Sequence, residues 1–149
     1  MKKINLLLLI TLLMTMLLII GCSKSEKAIS YYEKALAFED IGNSNDAFKW
    51  YKKAAEAGNI DAMYKLGLFF YRGIGTQDND EESFNWYKKA AEAGHVKAMH
   101  EVGLCYLWET GVAGDTGKAL EWFKKAADAG DEESLKTIQE FLEAGGKLQ

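Results

Sequence analysis

A twelve-residue block recurs three times at a fixed interval, and this constrains the fold more than any other feature of the chain. Phe48–Asn59 (FKWYKKAAEAGN) returns as Phe84–His95 (FNWYKKAAEAGH) and again as Leu120–Asp131 (LEWFKKAADAGD). Trp50, Trp86 and Trp122 therefore stand 36 residues apart, as do Gly58, Gly94 and Gly130. A unit of that length cannot bury its own apolar face and must stack on a neighbour, which predicts a solenoid. Solenoids of this kind mostly bind other molecules and seldom catalyse.

The first 21 of the 149 residues are expected to lie outside the fold. Lys2 and Lys3 precede a run from Ile4 to Ile20 that is apolar except for Asn5, Thr11 and Thr15, the layout of an export signal. The run ends at Ile19-Ile20-Gly21-Cys22, which resembles the lipobox of bacterial lipoproteins. That resemblance implies cleavage before Cys22, a diacylglyceryl group on its thiol and acylation of its new amino group, palmitate among the fatty acids. An uncleaved membrane anchor is the competing reading, because a run of 17 residues approaches the length of a spanning helix. Both readings tether the chain outside the cytoplasm. Ser23 follows Cys22 in place of the aspartate that holds some lipoproteins at the inner membrane, which favours a periplasm-facing protein of the outer membrane.

Without residues 1–21 the 18 basic side chains fall to 16 while the 22 acids remain, a net charge of −6. Nucleic acid demands clustered Lys and Arg, so it is not an expected partner. Cys105 has no second thiol to pair with once Cys22 carries lipid, and it reads as a small buried apolar residue or as a free thiol. The chain has no proline, in keeping with helices joined by short turns.

Residues 23–27 read as a polar spacer, and Ser30-x-x-Glu33 reads as a capping box that opens the first helix. Tyr31, Ala35, Phe38, Ala47, Tyr51 and Ala54 resemble the signature positions of a tetratricopeptide repeat. In the next two units, Ala62, Leu66-Gly67, Phe70, Gly73-Ile74-Gly75, Ser83, Trp86-Tyr87, Lys89-Ala90-Ala91 and Gly94 are matched by Ala98, Val102-Gly103, Tyr106, Gly111-Val112, Ala119, Trp122-Phe123, Lys125-Ala126-Ala127 and Gly130. Both are similar to Sel1-like repeats; Glu109 departs from the first loop glycine and Ser83 from the usual alanine. The resemblance implies an all-α superhelix of Sel1-like and tetratricopeptide-like helix pairs with seven helices. Its parts are a signal peptide (1–21), a lipidated cysteine and linker (22–27), a tetratricopeptide-like repeat (28–58), Sel1-like repeats (59–94 and 95–130) and a capping helix with tail (131–149).

Several positions have physical reasons of their own. Asn43, Asn79 and Asp115 precede the second helix of each pair, and Asn59, His95 and Asp131 precede the helix that follows, where a side-chain acceptor satisfies free N–H groups. Gly67 and Gly103 remove a side chain where two helices would collide. The pairs Lys52-Lys53, Lys88-Lys89 and Lys124-Lys125 are followed within a turn by Glu56, Glu92 and Asp128 and read as a solvated outer face.

The first helices of the pairs line the concave face in the family resembled. Counting from Ala35, Gly67, Gly103 and Gln139 places Tyr32, Tyr64, His100 and Lys136 in one row on that face, and Leu36, Leu68, Leu104 and Glu140 in the next. Tyr71, Arg72 and Trp108 edge it. Aromatic and Arg side chains are enriched in binding hot spots, although the same residues can equally pack between repeats. The expected partner is a protein or peptide, in an adaptor role or, by resemblance to small exported Sel1-like proteins, as an immunity protein against a periplasmic effector.

No cofactor or metal is expected, because His95, His100 and Cys105 are spaced by five residues, which misses helical metal-ligand spacing. Ser30, Ser44, Ser83 and Ser134 fall at or near helix starts, and neither Ser-x-x-Lys nor Lys-Thr-Gly occurs. A β-lactamase-like hydrolase, as proposed for cysteine-rich relatives, is the rival class; the paired cysteines of those relatives are absent. A structural spacer or self-associating protein is the third.

Overall fold

The computed structural model describes residues 24–145, and Cys22 with the apolar run before it lies outside them. The described residues form seven helices and no strand: α1 (24–40), α2 (Ser44–Glu56), α3 (Ile60–Arg72), α4 (Asp80–Glu92), α5 (Val96–Trp108), α6 (Thr116–Asp128) and α7 (Glu132–Glu143). From α2 onward each helix packs on the next one in sequence, the nearest-neighbour order of a solenoid. None of these helices is long and apolar enough to cross a membrane.

Each of α2 to α7 begins on a side-chain acceptor. Asn43, Asn59, Asn79, Asp115 and Asp131 take the N–H three residues on through a side-chain oxygen, and His95 takes that of Ala98 through Nδ1 at 3.1 Å. The start of α1 differs from expectation. The chain is already helical at residue 24, so Ser30 and Glu33 lie inside the helix and form no capping box.

The core divides into two clusters that follow the repeat. One gathers Ala35, Ala47, Tyr51, Ala54, Leu66 and Phe69; the other gathers Phe84, Tyr87, Ala90, Val102, Tyr106 and Phe123. Met63 packs against both. The same contacts recur at the period: Phe48 meets Phe70 edge-on at 5.3 Å, and Phe84 meets Tyr106 edge-on at 5.3 Å. Gly67 lies under the Tyr87 ring and Gly103 under the Phe123 ring, so the absent Cβ sets how closely the helices approach. Ser83 is fully buried, and its hydroxyl donates to the carbonyl of Gly67 at 2.9 Å.

The repeated tryptophans are half-buried scaffold on the second helices. Lys53, Lys89 and Lys125 lie over the faces of Trp50, Trp86 and Trp122 at 4.2, 4.0 and 4.1 Å, and Lys88 pairs with Glu92 at 3.9 Å. The second lysine of each pair thus shields an indole rather than standing free in solvent.

Candidate functional site

Helices α1, α3, α5 and α7 bring most of the expected contact residues to one face. Three adjoining depressions run along it. The first, about 380 Å³, lies between Tyr32 of α1, Asp61, Tyr64 and Lys65 of α3, and Lys97 of α5. Tyr64 also walls the second, about 220 Å³, which continues to His100, Glu101, Asp131 and Glu133. Glu101 is shared in turn with the third, about 300 Å³, where Leu68, Leu104 and Cys105 meet Tyr71, Arg72 and Trp108. Eight of the ten expected contact residues therefore line a continuous groove.

Leu36 and Lys136 do not line it. Leu36 packs against the first core cluster. Lys136 points into solvent and pairs with Glu140 one turn on at 3.6 Å. His100 offers the groove only an edge, because it is 7% exposed and its main bond is internal. Its Nδ1 lies 2.8 Å from the hydroxyl of fully buried Ser134 and 3.5 Å from Asp131, whose carboxylate also takes the Ser134 N–H at 2.8 Å. This cluster fastens α7 onto α5. A serine, a histidine and an acid do meet here, with Glu133 3.9 Å from the opposite ring nitrogen, Nε2, but Ser134 is fully buried and closed to any substrate, so the cluster reads as a fastening and not as a relay.

Tyr64 is held rigidly: its ring stacks on His95 at 4.4 Å and tilts against Tyr87 at 5.8 Å. At the α1 end, Glu39 takes hydrogen bonds from the Tyr51 hydroxyl and from Lys65 Nζ, the latter 3.0 Å from both carboxylate oxygens. Burial would raise Glu39, but these bonds hold it below the usual carboxylate range. Glu101 shows the reverse. Burial pushes its carboxyl up, Glu133 adds to the effect, and His100 and Arg72 only partly offset it.

Tyr71 and Trp108 are the exposed aromatics of the groove, at 53% and 58%. Cys105 lies beneath them, and burial pushes its thiol up to about 12. Tyr87, Lys97 and Cys105 are wall residues that the sequence analysis did not identify; Lys97 and Cys105 lie near His100 and Leu104 on α5, whereas Tyr87 comes from α4, where no contact was expected. Among the described residues, no group of three His, Cys, Asp or Glu side chains is placed to hold a metal ion.

Comparison with known proteins gives these features a context. The family model described as "Sel1 repeat" matches residues 20–37, 41–59, 60–95 and 96–131, so the segment that resembled a tetratricopeptide repeat is matched by the same family. A Sel1 repeat protein from Oxalobacter formigenes is 33% identical with a TM-score of 0.76, over 81% of this chain and 52% of that one. A protective antigen of uropathogenic Escherichia coli with an SLR fold is 30% identical with a TM-score of 0.76, over 80% of this chain and 27% of that one. Helicobacter pylori cysteine rich protein B shares the fold, with 22% identity and a TM-score of 0.65, over 76% of this chain and 93% of that one. An uncharacterized Sel1-like repeat-containing protein of Schizosaccharomyces pombe is 37% identical over 46 residues, 31% of this chain and 7% of that protein. The chain thus spans about half or less of the length of the Oxalobacter formigenes, Escherichia coli and Schizosaccharomyces pombe proteins.

Proposed function

This chain belongs to the Sel1 repeat family, and we propose that it is a binding module that holds a protein or peptide partner in the groove of α1, α3, α5 and α7. The observation that carries this reading is the continuity of the three depressions through Tyr64 and Glu101. A solenoid groove with exposed aromatic anchors, flanked by charges of both signs, suits a helical or an extended segment. The β-lactamase-like reading finds no comparable support, since the one Ser–His contact described is sealed inside.

The proposal includes place. Lys2-Lys3, the apolar run and Ile19-Ile20-Gly21-Cys22 support a protein tethered to the envelope by lipid on Cys22, with the solenoid facing the periplasm. An adaptor role and an immunity role against a periplasmic effector are both compatible with such a placement. The test uses the full chain in its own cells with cross-linking. Tyr71→Ala with Trp108→Ala should abolish the cross-linked partner, while Lys52→Ala, Lys88→Ala and Lys124→Ala together should leave it. Loss only in the second set would move the site to the opposite face. Cys22→Ser should remove palmitate labelling; persistent labelling would defeat the lipid assignment.

A further inference from the structure

Successive repeats close their junctions differently, and the difference leaves one carboxylate, Glu101, without a salt bridge among the described residues. Lys65 and Glu101 hold the same place on α3 and α5, 36 residues apart, as Tyr51 and Tyr87 do on α2 and α4. Four residues beyond the matching small residues Ala35 and Gly67 stand Glu39 and Tyr71. At the first junction these positions satisfy one another, since Glu39 is bonded by both Lys65 and Tyr51. At the second junction Tyr71 stands for the acid and Glu101 for the base. These two positions cannot pair with each other there, and the 300 Å³ cavity lies between Tyr71, Tyr87 and Glu101.

Glu101 is half-buried, yet among the described residues no cation lies within ion-pair distance of it. Withdrawing a carboxylate from water is costly, and His100 and Arg72 offset the cost only in part, so the site gains most from a ligand that supplies positive charge at close range. The walls add a second requirement. Tyr71 and Trp108 line the cavity and are more than half exposed, and Leu68 and Leu104 provide apolar surface. Aromatic faces attract ammonium and guanidinium groups and also cover the aliphatic stems that carry them. A volume of about 300 Å³ is at the small end of ligand pockets and matches one side chain of a larger partner.

We propose that this cavity receives a lysine or arginine side chain from the bound partner, its stem along Trp108 and Tyr71 and its charged head on Glu101. The proposal rests on the groove reading and specifies its chemistry at one point. Charge complementarity identifies the occupant. Arg72, exposed on the cavity rim, makes no ion pair with Glu101 and acts as a competing cation.

The test follows the indole N–H resonance of Trp108 in the purified full chain, in a neutral detergent, during titration with acetyl-Ala-Arg-Ala-amide and acetyl-Ala-Met-Ala-amide. The arginine peptide should bind at least fivefold more tightly than the methionine peptide. Glu101→Gln should erase that preference, and Glu101→Lys, which installs the Lys65-type residue, should abolish arginine binding with unchanged helical circular dichroism. Arg72→Gln should strengthen it. Equal binding of the two peptides, no binding of either, or arginine binding indifferent to Glu101→Gln would each overturn the proposal. The groove reading is judged separately, by whether Tyr71→Ala with Trp108→Ala releases the cross-linked partner.

Discussion

The backbone of Gly67 touches the ring of Tyr87 so closely that a Cβ on Gly67 would stand 2.4 Å from Tyr87 Cδ1. One repeat later Gly103 makes the same contact with Phe123, where a Cβ would stand 2.6 Å from the ring. Alanine at either place must force the helices apart. Overpacking of this kind costs about 1–3 kcal/mol, against about 1 kcal/mol gained from helix propensity. Gly67→Ala and Gly103→Ala should each lower the thermal midpoint. Phe123→Leu should recover part of the loss in the Gly103→Ala background, and an additive outcome in this cycle would break the assigned contact.

Glu109 is the one residue other than glycine with a positive φ among the described residues, at 57°. It ends α5 in the left-handed conformation that Gly73 adopts at the end of α3, at 63°. A side chain in that region costs about 1–2 kcal/mol, partly offset because glycine loses more freedom on folding. Glu109→Gly should therefore raise stability by about 1 kcal/mol in urea unfolding. A fall in stability would show that the Glu109 side chain makes a compensating contact.

His95 caps α5 through Nδ1, which accepts the Ala98 N–H only while that nitrogen is unprotonated. Burial lowers its affinity for a proton, and Asp61, 3.6 Å from Nε2, does not restore it. The folded pKa is thus below the unfolded value of about 6.5. The cap is intact above that value, and its contribution is lost as pH falls through the folded pKa, because the unfolded chain takes up the proton first. His95→Asn installs the capping residue found at Asn59 in the preceding repeat. It should keep the cap, lose the stacking on Tyr64 at every pH, and flatten the decline between roughly pH 7 and 5. An unchanged slope in thermal unfolding would place the titrating group elsewhere.

Local rules made the helix starts readable, since an acceptor before each of α2 to α7 recurs with the repeat and acts within three residues of itself. The same local logic failed at Ser30. Ala28 is buried, so packing carries α1 back past a sequence that could have opened it. Tyr32, Tyr64, Leu68 and Leu104 were legible on the groove face because helical spacing alone puts them there. The closure of one junction by Lys65 and Glu39 was not, because those residues are 26 apart and meet only through the stacking of α1 on α3. The fastening of His100 to Ser134 spans 34 residues and was hidden for the same reason. The Lys–Trp contacts were within reach of sequence reasoning, as each lysine follows its indole by three residues on one helix.

Cys105 lies in the floor of the cavity beneath Tyr71 and Trp108, 5% exposed, with burial pushing its thiol up to about 12 and Glu101 and Asp80 adding to the rise. Only the thiolate attacks alkylating reagents, and a free cysteine ionises near pH 8.5. At pH 8 the native chain should react about a thousandfold more slowly with iodoacetamide than the urea-unfolded chain, from thiolate population alone. Glu101→Gln removes one of the negative charges that oppose ionisation and should speed the native reaction without changing the unfolded rate. Native labelling as fast as unfolded labelling would mean that the cavity floor at Cys105 opens to solvent.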